Sequence, residues 1–205
     1  MTGRLITFGC SYTYGHGLPD CHVPPNQPGD NPSKYAWPYI LGKKLKIPTI
    51  NLSKCGASNR EILYYIQNFS FSRSDIVVIL WTYPMRDCII DENGIAAQAL
   101  PLDNFMKPWY LQRLKLGEFD YYHQMWTCMN YAKLFLDYLN LKNYHFTINL
   151  KYIKNPPKFN IVHIEDVDFL QIREIDLALD KVHPGKNAHK VAAKKFKEKI
   201  NAYNK

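Results

Sequence analysis

The sequence predicts an α/β fold in which a mainly parallel sheet is covered by helices on both faces, that is, a three-layer α/β/α sandwich. Short apolar, β-branched segments alternate along the chain with segments of helical spacing, which is the order typical of such folds. The strongest strand candidate, "DIVVILW" from Asp75, is apolar on both faces and therefore belongs in the middle of a sheet. With 205 residues and 46% hydrophobic content, we expect a single domain over residues 1–205.

The first half of the chain supplies two further strands and two helices. "RLITFG" from Arg4 is apolar and ends at a glycine, which predicts a buried first strand. "YAWPYILGKKLKI" from Tyr35 has helical spacing, and "PTINLS" from Pro48 is predicted to be the second strand. A helix should follow in "SNREILYYIQNF", because Ser58 and Glu61 have the spacing of a capping box.

The second half is less regular before it returns to the alternating order. Residues 84–120 mix prolines, glycine and aromatic side chains, and we expect them to form an insertion over the sheet edge. A helix is predicted from about Tyr121 to Leu141, followed by a strand around "YHFTINL" from Tyr144. A short extended piece, "FNIVHI" from Phe159, precedes a last helix from about Asn187 to Ala202.

Composition narrows the class of protein and its compartment. No apolar run approaches the roughly 20 residues of a membrane span, and no signal-peptide core is evident, so we expect no membrane span and a cytoplasmic location. The five cysteines lack the spacing of a zinc site, which favours reduced thiols. The content of Lys, Asn and Tyr is typical of a viral or AT-rich genome.

The formal net charge of +8 raises the question of a nucleic-acid partner. From Lys186 onward, seven lysines face Glu198 alone, so +6 of the charge lies there and +2 in the rest of the chain. A lysine-rich helix with apolar residues on its other side is usually a solvated face. Nucleic-acid binding is therefore disfavoured but stays open as an alternative.

Three loops carry the candidate chemistry, since ligands of such sheets bind near the carboxyl ends of the strands. In "FGCSYTYGHG", glycines flank a tight turn after the first strand, so Ser11 is placed to expose its hydroxyl, or else to cap a helix. In "NLSKCGASN", Gly56 precedes a helix whose free N–H groups suit an oxyanion, although a simple turn glycine is the alternative.

The third loop is "DKVHPGKNAH", close to the C-terminus. Asp180 and His183 are three residues apart, so one turn can bring the carboxylate onto one imidazole nitrogen and leave the other free as a base. Pro184 disfavours helix at His183 and keeps this turn separate from the last helix. Taken alone, the pair also fits an ordinary surface turn.

Together, the three loops resemble the SGNH hydrolase superfamily, also called GDSL-like esterases and lipases. In that family a serine follows the first strand in a Gly-Asp-Ser block, a glycine follows the second strand, an asparagine follows the third, and an Asp-x-x-His block lies near the C-terminus. Here "GCS" ends at Ser11, "NLSKCG" ends at Gly56, and "DKVHP" begins at Asp180. The resemblance covers almost the whole chain in strand order and implies a flavodoxin-like sheet.

The sequence departs from the family pattern at two places. Cys10 stands where the family has an aspartate, and no asparagine block follows the third strand, where the sequence is "WTYPMRD". The family's asparagine donates a hydrogen bond to the oxyanion, so another donor is needed. Thr82 and Asn59 are the candidates for this role, and Arg86 is a candidate for binding an anionic substrate or for pairing with a neighbouring acid.

The resemblance implies a catalytic triad in which Asp180 orients His183 and His183 takes the proton of Ser11. The backbone N–H groups of Ser11 and Gly56 would stabilise the oxyanion. No metal and no organic cofactor is required. The implied activity is that of a serine esterase acting on a small acylated substrate, with an O-acetyl group on a carbohydrate favoured.

Two other functions use the same fold. An acyltransferase would employ the same residues, and a non-catalytic module would bind a carbohydrate or nucleic acid without reaction. Aromatic residues from about Phe105 to Tyr122 are expected either to stack against a sugar or to form the core of a lid. His16 and His189 are expected to be pocket or surface residues outside the triad.

Overall fold

The computed structural model describes residues 3–99 and 117–203, in which strands alternate with helices. The strands are β1 (Leu5–Phe8), β2 (His22–Val23), β3 (Gln27–Pro28), β4 (Thr49–Asn51), β5 (Ile76–Trp81), β6 (Asp87–Asp91), β7 (Gly94–Ala99), β8 (Lys142–Thr147) and β9 (Ile164–Asp166). The helices are α1 (Ser11–Tyr14), α2 (Trp37–Leu45), α3 (Asn59–Gln67), α4 (Glu118–Tyr138), α5 (Phe169–Arg173) and α6 (Lys186–Tyr203), with a 3₁₀ turn at Leu150–Tyr152. Among the helices of this part of the chain, none is long and apolar enough to cross a membrane.

Five strands form one parallel sheet in the order β4-β1-β5-β8-β9. When these strands are renumbered by chain position, the order is that of flavodoxin-like folds. β5 is central, and its residues from Val77 to Trp81 have no exposed surface. A segment that is apolar on both faces avoids water only in an inner position, so the prediction for this strand is confirmed.

Helices cover the sheet on both faces. α2 packs against α6, and α3 packs against α4. Trp37 of α2 stacks on Phe196 of α6 with ring centroids 4.0 Å apart. Phe8 of β1 contacts Phe69 and Phe71, which follow α3, at centroid distances of 6.3 and 6.2 Å. The predicted three-layer α/β/α architecture is therefore confirmed.

The element expected at "FNIVHI" is misplaced by several residues. The strand at this edge is β9, and residues 159–163 lie outside it. The side chain of Asn160 explains the difference, because it donates to the backbone oxygen of Val162 and accepts from its N–H. Those backbone groups are then engaged locally instead of in a strand ladder.

Two antiparallel hairpins were not predicted, β2–β3 and β6–β7. The second contains Asn93-Gly94, a dipeptide typical of hairpin turns, and Gly94 has the positive φ of 114° that such a turn needs. This hairpin falls within the expected insertion at 84–120. The aromatic residues Phe105, Trp109 and Tyr110 lie outside the described residues, so the insertion as a whole stays a prediction.

Candidate active site

Ser11, His183 and Asp180 form a continuous chain of hydrogen bonds at the carboxyl edge of the sheet. His183 Nε2 lies 2.9 Å from Ser11 Oγ, and His183 Nδ1 lies 2.6 Å from Asp180 Oδ2. Ser11 follows β1 directly, whereas Asp180 and His183 lie in the loop before α6. The fold thus brings together a hydroxyl, an imidazole and a carboxylate from positions 172 residues apart.

The serine is positioned by a tight turn between β1 and α1. Cys10 is the N-cap of α1, and its carbonyl accepts from the N–H groups of Thr13 and Tyr14 at 2.9 Å each. Ser11 is the first residue of the helix, so its hydroxyl is available to His183 and does not serve as the cap. Gly9 is required here because a Cβ would lie 2.2 Å from Thr13 Oγ1.

The loop that carries the other two residues is organised by Asp180 itself. Its Oδ1 accepts from the backbone N–H groups of Val182 and His183, each at 3.0 Å, which leaves Oδ2 for the imidazole. This is an Asx turn, in which a carboxylate fixes the backbone two and three residues on. Gly17 packs against the carboxylate so closely that a Cβ would lie 2.6 Å from Asp180 Cγ.

The environment sets the protonation states that proton transfer requires. Burial lowers the pKa of His183, and the charges of His16 and Arg86 lower it further, while Asp180 opposes the shift. Burial alone would raise the pKa of Asp180, but hydrogen bonds from His183 and Val182 outweigh it and hold the pKa below its ordinary value. At neutral pH the imidazole is therefore neutral and the carboxylate ionised.

His16 lies directly against the imidazole of His183. The ring centroids of His16 and His183 are 4.5 Å apart at an interplanar angle of 30°. One ligand atom from each of His16, Asp180 and His183 lies within 4.8 Å of the others. Both His183 nitrogens are engaged by Ser11 and Asp180, so a metal ion at these atoms would have to displace a hydrogen bond. His16 is half-buried, and it lies outside the hydrogen-bonded row of Ser11, His183 and Asp180.

His189 was expected at a pocket or surface, and that prediction was wrong. It is fully buried, and its Nδ1 accepts from the backbone N–H of Trp37 at 3.1 Å. Burial lowers its pKa to about 3, so the ring is neutral. His189 lies on the apolar face of α6 and joins this helix to the start of α2. The many lysines on the other face of the helix explain why a surface position was expected.

Gly56 lies in the β4–α3 loop, beyond the carboxyl end of β4. The N–H of Lys54 donates to the carbonyl of Gly9 at 3.1 Å and so ties this loop to the serine turn. Gly56 has a φ of 78°, which favours glycine. The Ser58 hydroxyl accepts from the N–H of Glu61 at 3.2 Å, which confirms the predicted helix cap.

Asn59 and Thr82 bind each other across the start of α3 and the end of β5. Asn59 Oδ1 accepts from the N–H of Thr82 at 3.0 Å, and its Nδ2 donates to the Thr82 carbonyl at 3.3 Å. Both residues are buried. The Asn59 amide therefore holds the strand end, whereas the hydroxyl of Thr82 accepts from Arg86 Nη1 at 3.1 Å and keeps its own hydrogen to donate.

Arg86 does not pair with its neighbouring acid. Asp87 instead accepts from Arg60 Nη1 at 3.4 Å and from the backbone N–H of Cys88 at 2.8 Å. The Arg86 guanidinium carbon lies 5.1 Å from the ring centroid of Tyr83. The pairing alternative for Arg86 was therefore wrong for the described part of the chain.

A cavity of about 470 Å³ lies beside the loops that carry the site. Its lining includes Tyr14 of α1 and Cys55, the residue before Gly56, together with the β7 segment 95–98. A second cavity, of about 840 Å³, lies between α4 and residues 155–159, and neither cavity is lined by Ser11, Asp180 or His183. Tyr121 and Tyr122, expected as stacking surfaces or lid core, are buried in the fold.

Comparisons with known proteins reveal similarity in structure but not in sequence. No protein-family model matches the chain, and no curated protein matches it. The esterase EstA from Pseudoalteromonas sp. superposes with a TM-score of 0.56 at 14% identity, over 98% of each chain. A member of the lipolytic G-D-S-L family from Veillonella parvula gives 0.51 at 13% identity, over 98% of this chain and 99% of that one.

The acetyl xylan esterase Est2A from Butyrivibrio proteoclasticus gives a TM-score of 0.59 at 12% identity. The match covers 98% of this chain but only 64% of Est2A. These proteins share the parallel sheet and its covering helices with the present chain along nearly its whole length. The chain therefore has the fold of the SGNH hydrolase superfamily, the fold of lipolytic G-D-S-L proteins and carbohydrate esterases.

Proposed function

We propose that this protein is a serine esterase that removes small acyl groups, with O-acetyl groups on carbohydrates as the favoured substrates. The observation that carries the proposal is the hydrogen-bonded row of Ser11, His183 and Asp180 at the carboxyl edge of an SGNH-type sheet. A row of this kind activates a hydroxyl that is otherwise a weak nucleophile.

In the proposed reaction, Ser11 Oγ attacks the ester carbonyl while His183 Nε2 accepts the hydroxyl proton. The tetrahedral intermediate then collapses, the bond to the alcohol oxygen breaks, and His183 returns the proton to the leaving alcohol. The acyl group remains on Ser11. Water, deprotonated by His183, attacks this acyl ester; the bond to Ser11 Oγ breaks, the carboxylic acid leaves, and His183 returns the proton to the serine. Asp180 holds the imidazole orientation and stabilises the imidazolium throughout.

The oxyanion is proposed to receive hydrogen bonds from the backbone N–H groups of Ser11 and Gly56. For the third donor, the bonding pattern favours Thr82 over Asn59. The Asn59 amide is engaged with the backbone of Thr82, whereas the Thr82 hydroxyl accepts one hydrogen bond and has a hydrogen to give. Arg86, which binds that hydroxyl, lies near the same position.

The substrate preference draws on the names of the structural neighbours, which include an acetyl xylan esterase. It also draws on the cavity of about 470 Å³ beside the site, large enough for the alcohol part of a small ester. We expect acetyl esters to be cleaved faster than esters of acyl chains with about eight carbons or more.

Labelling by a fluorophosphonate tests the activated serine directly. The reagent should add one phosphonyl group to the native protein, located by peptide mass spectrometry at Ser11, and none to Ser11→Ala. A panel of aryl acetates, aryl octanoates and acetylated sugars should then show turnover of the acetates. Failure to label, combined with no turnover of any ester, would leave a non-catalytic binding module as the better account.

A further inference from the structure

Arg86 is held just beyond the end of β5 by two contacts. Its Nη1 donates to Thr82 Oγ1 at 3.1 Å, and its guanidinium lies over the ring of Tyr83. In the sheet, Phe8 of β1 is paired with Ile79 of β5. Ser11 and Thr82 each lie three residues beyond this pair, so the segments that follow β1 and β5 leave the sheet at the same edge. Arg86 is therefore anchored beside the loop that bears the nucleophile.

The positive charge of Arg86 has no carboxylate partner within residues 3–99 and 117–203. Asp87, the adjacent acid, bonds to Arg60 instead. The Arg86 charge is one of the factors that lower the pKa of His183, and it also opposes the rise that burial causes in the pKa of Cys55. His183 and Cys55 stand on different loops, and Arg86 itself is anchored at Thr82, directly after β5.

We propose that Arg86 binds a carboxylate of the substrate, so that the natural ester is an acylated molecule bearing a negative charge, such as an acidic sugar. The inference rests on the proposed esterase function. Thr82 occupies only one of the five guanidinium N–H groups, and the planar fork matches a carboxylate through two parallel hydrogen bonds. A partly buried charge without a partner is costly, and a bound anion would offset that cost.

The test uses two esters that differ only in charge, 3-acetoxybenzoate and 3-acetoxybenzamide. For the native protein, kcat/KM should be roughly 10- to 100-fold higher for the carboxylate ester, as expected for hydrogen bonds to a charged group. Arg86→Gln should remove this preference by lowering kcat/KM much more for the benzoate than for the benzamide. Arg86→Lys, which keeps the charge but loses the fork, should retain part of it. Arg60→Gln is the matched control and should keep the full preference.

Two other outcomes of this experiment would overturn the inference. Equal turnover of both esters by the native protein would overturn the inference and leave the esterase function intact. An equal loss for both esters in a folded Arg86→Gln would also overturn it, because Arg86 would then act on the oxyanion.

If neither ester is cleaved, the proposed function is in question and calorimetric binding to Ser11→Ala decides the inference. Tighter binding of the benzoate that is lost when Arg86→Gln is added, and partly kept when Arg86→Lys is added, would support it. Equal binding of benzoate and benzamide would overturn it.

Discussion

Ser11 and His183 are held in place chiefly by backbone geometry. The serine stands on a turn that requires Gly9, and the histidine stands on an Asx turn built by Asp180, against which Gly17 packs without a side chain. Small residues at both turns let two loops approach within hydrogen-bond distance. The proposed chemistry therefore depends on these glycines as well as on the reacting side chains.

Because the three side chains are proposed to act as one unit, their losses should not add. Ser11→Ala and His183→Ala should each lower kcat by roughly 10³-fold or more, and the double variant should be scarcely worse. Asp180→Asn should also be severe, because an amide favours the wrong imidazole tautomer. Steady-state kinetics on an aryl acetate measures this, with circular dichroism confirming the fold. A folded, fully active Ser11→Ala would refute the mechanism.

The acid limb of the pH profile should report on His183. The base works only when neutral, so kcat/KM should rise with pH, with a midpoint below the ordinary imidazole value of 6.5. His16 contributes to the lowering, so His16→Asn should move the midpoint to higher pH. His163→Asn removes a histidine that is bonded to Glu165 and should leave the profile unchanged. A midpoint that stays fixed in His16→Asn would contradict this assignment.

At the level of elements, the end of β5 and the start of α3 form one unit through Asn59 and Thr82. The Asn59 amide satisfies both backbone groups of Thr82 at a buried position where water cannot. The strand end, the proposed third oxyanion donor and the guanidinium of Arg86 are therefore positioned by one asparagine. Substitution of Asn59 should therefore lower the stability of the fold directly, and it should lower catalysis only as a consequence.

Substitutions at these two residues should separate the donor from its support. Thr82→Val removes the hydroxyl with little change of shape and should lower kcat by roughly 10²- to 10³-fold, as for one oxyanion donor. Asn59→Ala should lower the free energy of unfolding by about 1–3 kcal/mol, because two buried backbone groups lose their partners. Urea unfolding and kcat are the two measurements. If Thr82→Val keeps full kcat and Asn59→Ala loses it without losing stability, the donor is Asn59.

The sequence predicts elements well where one residue pattern determines the outcome. β5 is recognisable because its apolar run fits only an inner strand. The start of α3 is recognisable because Ser58 and Glu61 have the spacing of a helix cap. The extended piece at Phe159 was misplaced because the Asn160 side chain competes for backbone groups, which periodicity does not reveal. The proposed row of Ser11, His183 and Asp180 follows from motif spacing and the family resemblance, whereas the Asn59–Thr82 pairing joins residues 23 positions apart and is visible only in the fold.

At the scale of the whole molecule, several lysines of α6 are engaged by nearby side chains. Lys199 bonds to Glu165 and Lys194 lies 3.8 Å from Glu198, while Lys186 lies over the ring of Tyr35. These contacts agree with a solvated helix face. The buried residues of α6, including Phe196, point to the core instead, so the helix has the two-sided character that its sequence predicts.

The proposed site and a partly buried ion pair lie at opposite edges of the sheet. The proposed site occupies the carboxyl edge, whereas Arg4, before β1, binds Asp75, before β5, at the amino edge with an Nη2–Oδ2 distance of 2.6 Å. The Asp75 side chain is fully buried and also accepts from the backbone N–H groups of Ser72 and Arg4. Burial alone would raise the pKa of this carboxyl, but these hydrogen bonds outweigh it and lower the pKa.

Asp75→Asn should therefore weaken the fold without altering the proposed site. At pH 7 we expect a loss of roughly 1–3 kcal/mol in the free energy of unfolding, because hydrogen bonds to a buried charge are lost. Since the folded pKa lies below the unfolded value near 3.8, this stabilisation is full above that pH and disappears as the pH falls through the folded pKa. The free energies of unfolding of the native protein and Asp75→Asn, measured with urea, should therefore converge in acid. At 25 °C and pH 7, kcat/KM of the variant should stay within about twofold of the native value. A large loss of kcat/KM in a fully folded variant would show that the two edges are coupled.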